Sequence, residues 1–335
     1  MEDLRGFNYG PGVYVPYHRD HPDKPLYGSE TASTVSTRGV YSWDHFDRYY
    51  GTPEEGWVNA YDVNAPPWAQ TAEASWTPQD EAPFIAGGFA WTGFDYKGEP
   101  TPFGWPDINS NFGILDECGF PKDGYYYYQA WWLSRPIVHV FPHWNWPGKE
   151  GQPIPVWVYS NAARVELVVN GRSLGSQAMP HDGHVEWSVP YAPGTVLAKG
   201  YDANGKLIGT DRVQTTGAPA ALRLTTDRTR LMADGEDMTM VAVAVVDSRG
   251  RVVPTADNRV TFKISGAGHI AGVGNGNPSD HDPDKADFRH AFNGLCMVVV
   301  GANEKPGDIQ VTATAPGLTS ATLHLDADAS QQAQM

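Results

Sequence analysis

The rhythm of apolar and polar positions changes along this chain. From Ala221 onward short β-branched runs recur: ALRLTTD, MTMVAVAVVD, RVTFKIS, GLCMVVVGA, DIQVTATAPG and TSATLHL, punctuated by Gly, Pro and Asp. Alternating or short continuous apolar runs mark strands buried on one or both faces. Their even spacing predicts an immunoglobulin-like β-sandwich over residues 217–327. Residues 136–216 are also β-rich, with PIVHVFPHWNW, PIPVWVYS, VEWSVPY and two hairpins. In those hairpins Asn170-Gly171 and Asn204-Gly205 supply the positive-φ positions of tight turns. This predicts a second β-sandwich, separated from the first by the small and proline residues of TTGAPAAL (Thr215 to Leu222). The small polar end DADASQQAQM predicts fraying, with residues 328–335 a flexible tail.

Residues 1–135 read differently. DLRGFNY and KPLYGSE are short runs ending in polar residues, and PFIAGGFAWTGFDY reads as a longer buried strand ending in aromatics and an acid. Helices are expected around Tyr41–Tyr50 and Gly124–Leu133. Strands with polar ends alternating with helices are the pattern of a (β/α) barrel, whose chemistry sits at the C-terminal ends of its strands. A barrel needs eight strands and about 250 residues, and only about three strands are legible here. The segment is therefore either another fold or the C-terminal part of a (β/α)8 barrel.

Composition narrows the function. The 335 residues suffice for two or three domains. A net charge of −15 argues against nucleic acid or an anionic membrane surface as partner, and no apolar run approaches the length of a membrane-spanning helix. The start, MEDLRGFNYG, has neither the basic nor the apolar region of a signal peptide. Two cysteines, Cys118 and Cys296, exclude a disulfide framework and a multi-cysteine zinc site. Aromatics are lopsided: the last Trp is Trp187 and the last Tyr is Tyr201. Residues 1–135 hold 19 acidic and 8 basic residues, a net of −11, against −4 for the rest.

Glu30 is the sharpest candidate for chemistry. It follows Pro25-Leu26-Tyr27-Gly28-Ser29, a short strand closed by Gly-Ser, so a carboxylate stands at a strand end. The plain alternative is a solvated loop glutamate. Asn8, Tyr9 and Tyr27 lie near it in sequence, and another strand supplies Trp91 and Asp95 at its end. Trp faces stack on sugar rings. His18 and His21, on the loop before this strand, read as solvated rather than ligating. GVGNGNP has closely spaced glycines but no following helix, so it fails the dinucleotide-binding pattern. Asp280, Asp282 and Asp284 have the spacing that opens an EF-hand, but Lys285 and Ala291 stand where Gly and Glu are required. They read as a solvated acidic loop. The Tyr125–Tyr128 run covers all faces of one helical turn and reads as packing.

Together these segments resemble a known family. PLYGSETASTVSTRGVY (25–41) resembles the nucleophile segment of glycoside hydrolase family 2, in the bacterial β-galactosidase-like branch. GGFAWTGFDYKGEPTPF (87–103) resembles the last barrel strand of those enzymes, and INSNFGILDECGFPKDGYYYYQAWW (108–132) their closing loop and final helix. ADGEDMTMVAVAVVDSRGRVVP and GVGNGNPSDHDPDKADFRHAFNGL resemble the C-terminal sandwich that follows. The resemblance covers essentially the whole chain and implies the following. Glu30 is the catalytic nucleophile, and Tyr9 hydrogen-bonds and orients it. Asn8, Trp91 and Asp95 bind substrate, with Trp91 flooring the sugar subsite. No cofactor or metal is implied. The reaction is hydrolysis of terminal β-galactosides of oligosaccharides or glycans, with β-glucuronides or β-mannosides as alternative sugars. A retaining glycosidase also needs an acid/base about 5–5.5 Å from the nucleophile. The family carries it in an Asn-Glu pair on an earlier strand. The Asn-Glu pair of this chain, Asn303-Glu304, reads as a turn between sandwich strands, so the acid/base is expected in a missing N-terminal part of the same enzyme and the chain alone is expected to be inactive. An oligomer is compatible with the resemblance, and a periplasmic or extracellular location is favoured by it. The competing class is a carbohydrate-binding or structural sandwich module, which would have no reason to hold Glu30, Tyr9 and Trp91 together.

Overall fold

The computed structural model describes residues 3–42 and 56–329. It divides into two compact units, meeting at Thr215 and Thr216.

The first unit opens with three parallel strands in the order β1 (Arg5–Asn8), β2 (Leu26–Ala32) and β3 (Ile85–Trp91). Helix α1 (Tyr14–Asp20) connects β1 to β2, and α2 (Ala72–Asp80) precedes β3. Thr71 caps α2 through Ala74 N, and the two oxygens of Asp62 accept from Ala72 N and Glu73 N. A side-chain acceptor at an orphan N–H is what starts a helix. Helix α3 (Asp123–Trp132) matches the helix expected over Gly124–Leu133. Most of the helix expected over Tyr41–Tyr50 lies outside the described residues. β3 departs from expectation: it is not buried on both faces, because Phe89 is 68% exposed and Trp91 40%. Among the described residues β3 pairs only with β2, so one face and one edge stay open.

The same unit continues into two antiparallel sheets. β4 (Val138–Phe141), β5 (Pro153–Ser160) and β8 (Val185–Pro190) form one, in that order. β6 (Arg164–Val169), β7 (Arg172–Ala178), β9 (Thr195–Tyr201) and β10 (Leu207–Gln214) form the other, ordered β10-β9-β6-β7. β5 illustrates how period-2 alternation positions a sheet. Ile154, Val156 and Val158 enter the core between the sheets with Val165, Leu167, Val196 and Trp144. Trp157 and Tyr159 point the other way, into an aromatic seam with Tyr61, Tyr127, Tyr128 and Phe141. Much of the Trp and Tyr richness is therefore packing, and the Tyr run of α3 contributes to it as expected. In the β6–β7 hairpin both Asn170 (φ 50°) and Gly171 (φ 82°) take positive φ, whereas in the β9–β10 hairpin Gly205 alone does, with a bulge at Leu207/Gly209.

The second unit is a sandwich of two sheets, β11-β13-β17-β15 and β12-β19-β18-β14-β16. Their ranges are β11 (Ala221–Thr225), β12 (Arg230–Ala233), β13 (Met238–Val246), β14 (Arg259–Gly266), β15 (Gly268–Gly274), β16 (Phe288–His290), β17 (Leu295–Ala302), β18 (Gly307–Thr314) and β19 (Ala321–Ala329). β11, β13, β14, β17, β18 and β19 are the six runs read from sequence. β12 and β16 are too short, and β15 too glycine-rich, to carry a strand signal. The polar stretch expected to fray begins as strand: Arg230 to Ala233 pair in parallel with Asp326 to Ala329, and Arg230 holds Asp328 at 2.8 Å. The acidic loop is not simply solvated. Arg289, its side chain 2% exposed, lies 2.9 Å from Asp280 and 3.7 Å from Asp284, so a guanidinium neutralises the acids.

His139 on β4 joins α3 to β10. Its Nε2 meets Asp123 Oδ1 at 2.8 Å, and its Nδ1 lies 3.6 Å from Asp211 Oδ2. Burial opposes its charge, but the hydrogen bond to Asp123 and the nearby Asp211 carboxylate outweigh it and raise its pKa to about 9. A folded-state pKa above the unfolded value of about 6.5 gives stability that is present below pH 6.5 and lost as pH rises through 9. Urea unfolding of the full chain is expected to lose on the order of 3 kcal/mol across that window. His139→Gln should flatten this slope; an unchanged slope would show that another group sets it.

Candidate active site

The three parallel strands bring their C-terminal ends side by side. Asn8 pairs with Glu30 and Ala32 with Trp91, so Tyr9, Glu30 and Trp91 stand at the same edge of the sheet. The chain leaves each strand abruptly. Tyr9 (φ 54°), Gly10 (φ 64°), Ala32 (φ 64°) and Ser33 (φ 55°) all lie in the left-handed region, which non-glycine residues adopt only when their surroundings hold them there. Tyr9 N donates to Glu30 O at 2.7 Å and Ser33 N donates to Trp91 O at 3.2 Å. The strand ends are thus laced together through their backbones.

Within that frame the Tyr9 hydroxyl lies 2.5 Å from Glu30 Oε1 and 2.5 Å from Ser33 Oγ. A phenol has one proton. Given to Glu30, it leaves the Tyr9 oxygen to accept from Ser33. Burial first, and then the bond to Glu30, push the Tyr9 phenol up to about 12, so it remains a donor at neutral pH. Asn8 Oδ1 accepts from Ser29 Oγ at 2.5 Å, on the residue before Glu30. Trp91 offers an open ring, and its Nε1 reaches the Tyr96 hydroxyl at 3.3 Å.

Asp95 behaves differently from the expectation of a polar rim. It is 7% exposed, and its carboxylate is committed to Lys122 Nζ at 2.7 Å and to Gly113 N at 2.7 Å. Burial pushes the carboxyl up to about 7 against the pull of Lys122. Lys122 also donates to Ser36 O at 2.6 Å and Asn111 O at 3.2 Å. It therefore ties the segment after β2, the segment after β3 and the start of α3 together. Beside it Arg38 pairs with Asp116 at 2.6 Å, and Asp116 Oδ1 accepts from Cys118 N and Phe120 N. His18 lies on α1, not on a loop, and stacks on Phe84 at 4.0 Å, whereas His21, just past that helix, is exposed as expected and lies 4.7 Å from the Tyr17 ring. Asn303-Glu304 lies between β17 and β18 in the second unit. Sequence reasoning passed over Ser33 and Lys122. Ser33 matters only because a left-handed turn points it at Tyr9, and Lys122 only because the segments after β2 and β3 converge on it.

The Asp95–Lys122 pair generates a prediction. Breaking a buried ion pair by removing one partner costs about 3–5 kcal/mol, because the other charge is left buried alone. Asp95→Asn is therefore expected to lower the unfolding free energy of the chain by that amount, read from urea titration. A residue that merely met substrate would leave that midpoint unmoved.

Known proteins resemble this chain in sequence and fold. A family model described as glycoside hydrolase family 2 C-terminal domain 5 matches residues 222–324, and one described as a domain of unknown function (DUF4982) matches residues 151–209. The chain is 42% identical over 338 residues to the β-galactosidase BoGH2A of Bacteroides ovatus, covering 97% of this chain and 39% of that protein. It is 33% identical to a putative β-glucuronidase of Formosa agariphila, covering 93% of this chain and 33% of that protein. The solved structure of a β-glycosidase from Bacteroides vulgatus superposes with a TM-score of 0.87 at 32% identity, over 97% of this chain and 45% of that one. The chain thus spans about a third to under half the length of these relatives. It belongs to glycoside hydrolase family 2, as a β-galactosidase-like C-terminal portion.

Proposed function

We propose that Glu30 is the nucleophile of a retaining β-glycosidase that hydrolyses terminal β-galactosides of oligosaccharides or glycans. The observation that carries this reading is the Tyr9 hydroxyl donating to Glu30 at 2.5 Å at the C-terminal end of a parallel sheet. In the first step a Glu30 oxygen attacks the anomeric carbon while the glycosidic C–O bond breaks. A separate acid protonates the departing oxygen, leaving a glycosyl ester on Glu30. In the second step the same group, now a base, takes a proton from water. The water oxygen bonds to the anomeric carbon, and the Glu30 carboxylate leaves. A phenol that stays protonated stabilises that carboxylate as it departs. Trp91, open to solvent, floors the sugar, and Asn8 orients Ser29 and the strand end. Asp95 acts as a positioning residue: through Lys122 it holds the segment that carries Trp91.

Residues 1–135 in this reading are the C-terminal part of a (β/α)8 barrel, followed by sandwiches at 136–216 and 217–327. The open face of β3, with Phe89 and Trp132 exposed, is where the other strands and helices of such a barrel would pack. The acid/base comes from that other part of the enzyme. A β-glucuronide is the second substrate reading, favoured by relatives of 33% and 30% identity named putative β-glucuronidase and β-glucuronidase. A carbohydrate-binding module has no use for a hydrogen-bonded Tyr9–Glu30 pair, which weighs against that class.

Two expected outcomes test this. In the complete enzyme, a 2-deoxy-2-fluoro galactosyl inactivator should leave its mass on the peptide containing Glu30, and a label on another carboxylate would overturn the assignment. The 335-residue chain by itself should turn over an aryl β-galactoside no faster than its Glu30→Gln variant. General acid catalysis contributes about 10²–10⁴ in rate, and this chain is read as lacking it.

A further inference from the structure

Three side chains away from Glu30 converge at the end of α2. Asp80 is the last residue of that helix, and His181 and Asp182 follow Pro180 in the segment between β7 and β8. One donor atom from each lies within 4.8 Å of the others. His181 Nε2 is 2.7 Å from Asp80 Oδ2 and 3.8 Å from Asp182 Oδ1. Asp80 and His181 alone would be an ordinary surface ion pair.

Asp182 makes the group unusual. Its side chain is 1% exposed, and neither carboxylate oxygen closes a hydrogen bond. The Trp76 indole lies near enough to favour its charge, yet Nε1 of that ring closes no hydrogen bond either. Buried carboxylates are ordinarily paired, hydrogen-bonded or bound to a metal. This one faces the imidazole of His181 across a gap that no donor among the described residues fills. Its loop is firmly held. The Tyr127 hydroxyl donates to Asp182 O at 2.8 Å, Trp131 packs edge-on against His181 at 5.1 Å, and His184 meets Glu73 of α2 at 2.5 Å.

We propose that Asp80, His181 and Asp182 form a binding site for one divalent transition-metal ion of the zinc class, tying the end of α2 to the segment before β8. Donor chemistry selects the class. An imidazole suits Zn²⁺ and its neighbours over Mg²⁺ and Ca²⁺, which prefer all-oxygen sets. Zn–N and Zn–O bonds of about 2.0–2.2 Å place tetrahedral ligand atoms about 3.3 Å apart. The His181 distances of 2.7 and 3.8 Å bracket that spacing, and the Asp80 and Asp182 oxygens, within 4.8 Å of each other, need to close by no more than about 1.5 Å. The exposed side of the group leaves the fourth position to water.

The test uses the full chain, stripped with chelator and titrated with ZnCl₂ in a calorimeter, with melting followed in parallel. Wild type should take up one equivalent and melt several degrees higher, and MgCl₂ should do neither. Asn tolerates the left-handed backbone that Asp182 adopts at φ 57°, so Asp182→Asn keeps the turn. It should lose the equivalent and the zinc-dependent shift. In chelator it should melt no lower than wild type, since it removes a buried unpaired charge. Asp80→Asn, at an exposed position, should lose the equivalent as well. The proposal is overturned if zinc leaves the wild-type melting unmoved, or if both variants retain wild-type uptake because zinc is held by other histidines.

Discussion

The buried Lys122 ammonium organises the first unit. It sits at the N-terminus of α3 and gathers Ser36 O from the segment after β2, and Asp95 and Asn111 O from the segment after β3. A charge removed from water must have its donors satisfied by fixed partners, so the loops leaving β2 and β3 are held to α3. Arg38 and Asp116 repeat the device one step away. Because these loops are pinned, Ser33 can point at Tyr9 and Trp91 can stay open without collapsing onto the sheet.

A second constraint is the aromatic seam. β5 sends alternate residues to opposite faces, so one strand serves both the sandwich core and the packing of α3. Tyr side chains suit such a seam because each brings apolar area together with a hydroxyl that must find a partner. Tyr61 gives its hydroxyl to Pro155 O, Tyr127 to Asp182 O and Tyr41 to Asp123. The seam fixes where α3 stands, and α3 in turn carries Asp123, whose carboxylate engages His139.

The proposed chemistry and the proposed metal site occupy opposite regimes of polar satisfaction. Around Glu30 every named donor has its acceptor, and the short Tyr9 contacts hold one geometry. At Asp182 an acceptor lacks its donor in an otherwise well-anchored loop. In the reading offered above, the first arrangement is what a group cycling between carboxylate and ester needs, and the second is what an ion would complete.

By itself the sequence determined what is local. Six strands of the second unit, the β6–β7 turn and helix α3 follow from alternation, Asn-Gly and helical periodicity, all of which act over a few residues. The pairing of Tyr9 with Glu30 was legible too, but through resemblance rather than pattern. Tertiary structure decided the rest. Asp95 became a buried ion-pair partner because Lys122, far along the chain, reaches it, and no spacing rule encodes such a meeting. Phe89 and Trp91 stayed exposed because they share a face of β3 that is left open, and an apolar run cannot say whether both faces of its strand will be covered. Asp326 to Ala329 joined a sheet despite their polarity because β12, itself too short to read, offered them a ladder. The Asp80–His181–Asp182 group exists only because α2 lies along the segment before β8. Contacts between residues distant in sequence depend on packing of whole elements, and that is settled by the folded chain, not by any stretch of it.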